Sequence, residues 1–301
     1  MKQVKIFPYS SIYKDGTLSL LKRNFAWMSR YSDEKLYSWF SPLAEYKWHG
    51  STDPGDLPYR YGLVLLDGGN IVGYCGATYS YQNIGGRKHL YMCMSTFAVD
   101  KDYRFYIFPA VKELCASAEI VTDFTPRESM RRLFLERFHF QQMNSKQIIM
   151  FPVPSFSRRV SVEFISRAEN IYDSQMQKIF ADHEPYGIKC CQFERDGEKC
   201  CIFYSSAWRM RWKRRIPCWK KITVLKVVNS DLFARNLHEI VWKIQKHEGV
   251  YAEFDCDAAF IGSDISHPLY IERPVYRLVY PNEDNAYKYD FMYSEFSMLK
   301  I

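Results

Sequence analysis

Three elements of the first half of this chain return in the second half at an almost constant spacing, and this limits the fold more than any other feature. The turn at Asp67-Gly68-Gly69-Asn70 is matched by a turn at Asp196-Gly197. A long strand ending at Val99 is matched, at the same offset, by one ending at Val228. A short buried strand reaching Asp123 is matched, at nearly the same offset, by one reaching Asp255. Residue identity between the halves is low, so what repeats is the order of elements. We read it as an internal duplication. A chain of 301 residues has room for two domains of ordinary size.

Hydrophobic periodicity and turn residues give the order. Val4 to Tyr9 reads as a strand, Leu18 to Tyr31 and Asp33 to Phe40 as helices, and Pro42 to Pro58 as a loop. Leu63–Leu66 and Ile71–Tyr79 form a hairpin, and His89 to Val99 is the long strand. Ile107–Ala118 (helix), Ile120–Phe124 (strand), Glu128–Phe138 (helix) and Gln147–Phe151 (closing strand) complete the first half. The stretch from Pro152 to Arg159, with its prolines, serines and arginines, is the expected linker. In the second half, a hairpin of Gly187–Phe193 and Cys200–Ser205 leads to a strand at Ile222–Val228. The amphipathic helix Leu232–His247 and strands at Val250–Asp255 and Val275–Tyr280 follow.

The run Ser95-Thr96-Phe97-Ala98-Val99-Asp100-Lys101-Asp102-Tyr103-Arg104 resembles the long strand and following loop of the GNAT acyltransferases. The segment Glu128 to Phe140, ending Phe138-His139-Phe140, resembles that family's last helix and the Gly-Phe after it. The resemblance covers most of Met1 to Pro152; in the second half it is architectural. The looser match is to atypical members of bacterial glycan gene clusters, which would suit polysaccharide biosynthesis. The implied fold class is α/β, with two tandem GNAT-like lobes at 1–152 and 160–301. Each lobe would be a mixed, mostly antiparallel sheet flanked by helices.

The resemblance also implies a site. Backbone groups at Phe97, Ala98 and Val99 would pair with an acyl-pantetheine donor as an added strand. Tyr103 and Arg104 would stand near its pyrophosphate, held at the helix start after Arg104. The family's glycine positions there are Ile107 and Pro109 in this chain. Proline has no N–H to donate, and a β-branched residue resists close approach. The family's acidic tyrosine falls on Leu135, which has no proton to give. The ordinary pyrophosphate cradle therefore lacks its glycines, and either another group protonates the thiolate, the donor is unusual, or this lobe does no chemistry.

Residue chemistry adds further candidates, each with a plainer reading. Asp123, at the end of a buried strand with Thr125 beside it, is placed for a general base; an N-cap for the next helix is the plainer role. His89, Tyr91, Cys93 and Ser95 share one strand face, and Ser95 is the candidate hydroxyl there; core packing is the plainer reading. His267, in the loop Gly262 to Pro268 with Asp264, is a candidate acid or base, or a structural histidine. Arg209 to Lys221 interleaves seven basic residues with Trp208, Trp212 and Trp219. That suits RNA, an acyl-carrier protein or another anionic partner, or a solvated hairpin tip.

Composition narrows the remaining classes. A 47% hydrophobic and 25% charged mix suits packed domains, and no apolar run approaches the roughly 18 residues of a membrane span. The net charge of +7 suits an anionic cofactor or substrate. Nine cysteines and the absence of an apolar leader at Met1–Pro8 lead us to expect a reduced, cytoplasmic setting. The pairs Cys190-Cys191 and Cys200-Cys201 invite a zinc reading. With Glu194 opposite Lys199, adjacent thiols point to opposite faces, so no metal is expected.

The expected activity is N-acyl transfer from acyl-CoA, or from an acyl-carrier protein, to an amine such as an amino sugar. Two other readings stand beside it: a non-catalytic binding protein for an anionic partner, and a tRNA-dependent aminoacyl transferase.

Overall fold

The computed structural model describes residues 3–84, 86–211, 214–249, 251–262, 265–280 and 291–299. The chain forms two compact units. The first takes Met1–Met143, Tyr276–Tyr287 and Tyr293–Leu299; the second takes Asn144–Val275, Lys288–Met292 and the last two residues. The sequence expectation divided the chain once, at a linker after 152. The structure divides it at 143/144 and returns two C-terminal stretches to the first unit.

In the first unit, β1 (Val4–Pro8) leads into α1 (Lys14–Asn24) and α2 (Asp33–Ala44). The helix expected over Leu18 to Tyr31 starts earlier and stops at Asn24, with a separate 3-10 turn at Met28–Arg30. The Ser32 hydroxyl accepts from the Lys35 N–H and so starts α2. Strands β2 (Leu63–Asp67), β3 (Asn70–Ile84) and β4 (Arg87–Val99) follow as an antiparallel meander. A 3-10 run, Lys101–Tyr106, leads directly into α3 (Ile107–Ala116), and then come β5 (Ile120–Asp123) and α4 (Glu128–Arg137).

Strand alternation sorts the core into two faces. Val64, Tyr74 and Ala98 pack on α1 and α2 with Leu18, Leu21, Leu36 and Phe40. Leu63, Leu65, Met92, Met94 and Val121 pack on α3 and α4 with Val111, Leu114 and Phe134. After α4, His139 adopts φ +56°, the left-handed bend that glycine takes in the resembled motif.

Strand β6 (Gln141–Met150) does not close the first unit as expected. Its residues Gln147–Met150 belong to the second unit and pair there with β11 (Tyr251–Asp257). That unit adds β7 (Ser161–Ile165) and α5 (Ser174–His183), then β8 (Lys189–Arg195), β9 (Glu198–Arg211) and β10 (Arg214–Val228). The single helix expected over Leu232–His247 is two, α6 (Ser230–Arg235) and α7 (Leu237–Glu248), broken at Asn236. β11 (Tyr251–Asp257) runs parallel to β10. The chain then runs through β12 (Tyr270–Tyr280), whose Leu278–Tyr280 pair with Asp123–Val121 in the first unit. A short helix, α8 (Glu295–Leu299), also belongs to the first unit.

The cysteine hairpin has the register read from the sequence, with Glu194 opposite Lys199, Cys191 opposite Ile202 and Cys200 opposite Phe193. Cys190 and Cys201 meet on one face, sulfurs 3.1 Å apart. Among the described residues, no group of three or more His, Cys, Asp or Glu could hold a metal, and no helix is long and apolar enough to cross a membrane.

Candidate active site

The site begins where two parallel strands part. β4 pairs with β5 only over Tyr91–Cys93 against Ile120–Thr122. Just beyond, β4 carries an extra residue against β3: Cys75 faces Phe97 and Gly76 faces Ser95, leaving Thr96 as the bulge. Thr96 has φ +33°, a strained value for a β-branched residue. A bulge bends its strand, and β5 ends at Asp123, so β4 and β5 diverge into a cleft. Strand geometry turns alternate backbone groups of Ser95 to Val99 away from β3, toward the side where the pairing with β5 has ended. Gly76 makes the bulge possible, because a Cβ there would lie 2.7 Å from Ser95 Oγ and 2.9 Å from Ser95 O.

The acids of the cleft come from two distant parts of the sequence. Asp123 is half-buried, and its Oδ1 accepts from the Thr125 N–H at 3.0 Å. It does not cap α4, whose N-cap is Arg127. Glu295, the first residue of α8, is 3% exposed. Its Oε1 accepts from the Thr125 hydroxyl at 2.9 Å, and its Oε2 accepts from the Cys93 thiol at 3.2 Å. Thr125 thus touches both carboxyl groups. Crowding by protein, and then the nearby Glu295, push Asp123 up to about 8. Burial also raises Glu295, against the pull of its hydrogen bonds and Arg277.

Several contacts hold α8 in place. The Thr78 hydroxyl donates to Tyr293 O at 3.1 Å, Trp48 packs edge-on to Tyr293 at 4.9 Å, and Phe124 lies 6.4 Å from Phe296. Trp48 is fixed by its indole N–H, which donates to Tyr79 O at 2.7 Å. The Tyr46 hydroxyl accepts from the Tyr79 N–H at 2.7 Å and donates to Arg60 O. These side chains occupy the β3 edge beyond the reach of β2.

The sequence candidates therefore separate. Cys93 and Thr125 meet at Glu295, and Thr125 meets Asp123; Ser95 follows Cys93 on the same strand face. Cys93 is fully buried and its thiol is driven well above the ordinary range, so it is no nucleophile. The Ser95 hydroxyl is buried with no hydrogen-bond partner among the described residues. Phe97, Ala98 and Val99 lie on the bulged half of β4, opposite Cys75, Tyr74 and Gly73. Tyr103 donates its hydroxyl proton to Asp67 at 2.8 Å and ties the loop to the hairpin turn. Arg104 is exposed, and Arg104 O accepts from the Ile107 N–H. His89, at the other end of β4, pairs with Glu119 at 2.8 Å.

His267 belongs to the second unit, where its Nδ1 lies 3.0 Å from Leu269 O and its ring packs edge-on to His238. Burial lowers it to about 4, so it stays neutral at physiological pH. Asp264 lies outside the described residues. In the basic segment, Lys220 pairs with Glu248 at 3.3 Å and Lys221 with Asp255 at 3.0 Å. Trp208 is half-exposed beneath the Lys220 ammonium. The side chains of Arg209, Arg211, Trp212, Lys213, Arg214 and Arg215 lie outside the described set.

Glu295 escaped the sequence reading. Its local signal is a serine, Ser294, whose hydroxyl accepts from the Phe296 N–H at the start of a five-residue helix. Nothing local announces that the carboxyl is buried beside Asp123.

The bulged strand, the splay and the crossover through α3 define a GNAT fold. No protein-family model matches the sequence, and no curated protein matches it. Solved structures do. A GCN5-related N-acetyltransferase from Anabaena variabilis superposes with TM-score 0.57 at 10% identity, covering 92% of this chain and 72% of the other. A probable N-acyltransferase from Enterococcus faecalis gives 0.56 at 13% identity, covering 93% and 72%. Saccharomyces cerevisiae N-myristoyltransferase with bound myristoyl-CoA gives 0.53 at 8% identity, covering 92% and 78%. The likeness spans both units and establishes the fold.

Proposed function

We propose that this protein is an N-acyltransferase that moves an acyl group from a pantetheine thioester to an amine. The observation that carries the reading is the juxtaposition of a ligand-ready strand edge, at the Thr96 bulge, with the raised Asp123 carboxyl. The pantetheine amides would add to the open edge of Phe97 to Val99 as a short strand. The thioester carbonyl would then lie near the bulge, where the backbone N–H of Val99 can hold the oxyanion, because the N–H groups of Asp100 and, by alternation, Ala98 point to β3.

Asp123 in its ionised form accepts a proton from the attacking amine. The new C–N bond forms, the C–S bond breaks, and Asp123 returns the proton to the leaving sulfur. One carboxyl raised to about 8 suits both halves of this cycle, and Leu135 leaves no tyrosine to do the second. Glu295 keeps Asp123 in that range and is held by Thr125. An amino sugar is the favoured acceptor class, the reaction lying in glycan assembly in the cytoplasm.

The test is thiol release from acyl-pantetheine and from acetyl-CoA and longer acyl-CoAs, against a panel of amines and amino sugars. Amine-dependent release with a matching amide product supports the reading. Release no faster than without protein, for every thioester, sinks it and leaves a binding protein.

A further inference from the structure

The cleft mouth points to the form in which the donor arrives. α3 starts where β4 ends, so its N-terminus borders the open ends of the parting strands. That is the place for a phosphate-bearing ligand in a parallel crossover, because free N–H groups collect there. Here two of those positions offer no free N–H, Ile107 and Pro109. The 3-10 run Lys101–Tyr106 continues into α3, and the Ile107 N–H is bonded to Arg104 O and Phe105 O. Pro109, in the first turn, has none. Asp100 next to this run is already engaged by Arg23 and Asn24.

What stands there instead is an aromatic and basic surface. Phe105 is 78% exposed, and its ring lies tilted 6.0 Å from that of Phe108, itself 37% exposed. Phe108 stacks on Phe138 at 5.9 Å. Arg104, Phe105, Phe108 and Lys112 follow one another at helical spacing, all exposed, with Arg137 exposed beside Phe138. Apolar residues in the open beside cations suit a protein surface that is acidic and carries its own apolar contact. A nucleotide pyrophosphate would find no free N–H at Ile107 and none at Pro109.

We propose that Arg104, Phe105, Phe108 and Lys112 dock an acidic acyl-carrier protein, which delivers its phosphopantetheine arm into the β4–β5 cleft. The proposal rests on the acyl-transfer reading above and names its donor. The carrier's acidic helix lies against Arg104 and Lys112, with Phe105 and Phe108 at the centre of the contact.

Calorimetry on the full chain with four probes tests it: pantetheine, CoA, and a bacterial acyl-carrier protein in its apo and holo forms. CoA should bind no better than pantetheine, and holo-carrier about tenfold tighter or more. Phe105→Ser and Lys112→Glu should each weaken holo-carrier binding by about tenfold while pantetheine binding stays unchanged. Circular dichroism melts check that both variants remain folded. The docking proposal is overturned if CoA outbinds pantetheine by tenfold, if holo-carrier binds no better than pantetheine, or if both variants keep full carrier affinity. Carrier binding without pantetheine binding would keep the docking surface and overturn the cleft. Failure of every probe overturns both.

Discussion

The same strand device occurs twice in this molecule and is used in opposite ways. β10 carries its own extra residue, Leu225, between the pairs Val224–Tyr204 and Lys226–Phe203. Leu225 stands to Thr96 as Val228 stands to Val99, so the bulges keep the offset read from the turns and strand ends. In the second unit the bulge is occupied, because the Phe291 N–H donates to Leu225 O at 2.7 Å. Phe291 also packs edge-on to Phe260 at 5.8 Å. The parallel pairing runs over five residues, Trp219–Thr223 against Tyr251–Asp255. Asp255, the acid matched to Asp123 and two residues short of the end of β11, is neutralised: Lys221 pairs with it at 3.0 Å and Gln147 donates to it at 2.6 Å. In the first unit no loop backbone among the described residues reaches Thr96, the pairing covers three residues, and Asp123 sits by a second acid. One bulge is bonded by the protein's own backbone; the other is strained, and in the proposed reading it is left for a ligand.

The comparison breaks most decisively at the two aspartates. Asp123→Asn should lower kcat/KM by about 100-fold or more, the usual contribution of a positioned base. The pH profile gives a second readout. With Asp123 raised to about 8, kcat/KM should climb with pH and level off above about 8. Stability should run the other way. A carboxyl whose folded pKa is raised binds its proton more tightly when folded, so its stabilising effect is lost as pH rises from the ordinary carboxylate range to about 8. Asp123→Asn should flatten Tm across that window. A wild-type rate that is level from pH 6 to 9 would remove Asp123 from the chemistry.

How much of this was legible follows the same division. The strand ends at Val99, Asp123 and Val228 were, because turns and strand ends are local. The long strand was, because its apolar alternation up to Val99 is local, and so was the short strand that ends on Asp123. What stayed hidden depends on long-range pairing. Gln147–Phe151 reads as a closing strand from its apolar run, and nothing in that run says that its partner is β11. Glu295 is one more acidic residue in the sequence; only the burial of α8 against Thr78, Trp48 and Phe124 gives it meaning. His267 carried the right chemistry in the wrong surroundings, since its protonation is suppressed by burial that no spacing reveals.

A smaller effect is expected at the second unit's acid. Asp255→Asn leaves Lys221 and Gln147 with a neutral partner in a buried place, at a cost of about 1–3 kcal/mol. The unfolding midpoint in urea should fall accordingly, while kcat/KM per folded molecule stays within about threefold of wild type, since no chemistry is assigned there. A 100-fold loss of rate with unchanged stability would reverse the assignment of the two units.

The finest distinction lies at Gly76, opposite the strained bulge. Its neighbours leave no room for a methyl group, with Ser95 Oγ at 2.7 Å and Ser95 O at 2.9 Å from where it would stand. Ser95 O belongs to the backbone of β4, so the strand itself must shift. Gly76→Ala should therefore cost about 1–3 kcal/mol by overpacking. It should also weaken pantetheine binding, because the displaced residues are those that present the open edge. The bulge in β10 supplies the control. Leu225 has no positive φ, and its carbonyl is held by Phe291, so a shift there should register in stability alone. Gly76→Ala protein that melts lower but binds pantetheine as before would show that the Thr96 bulge, like its counterpart, is only architecture.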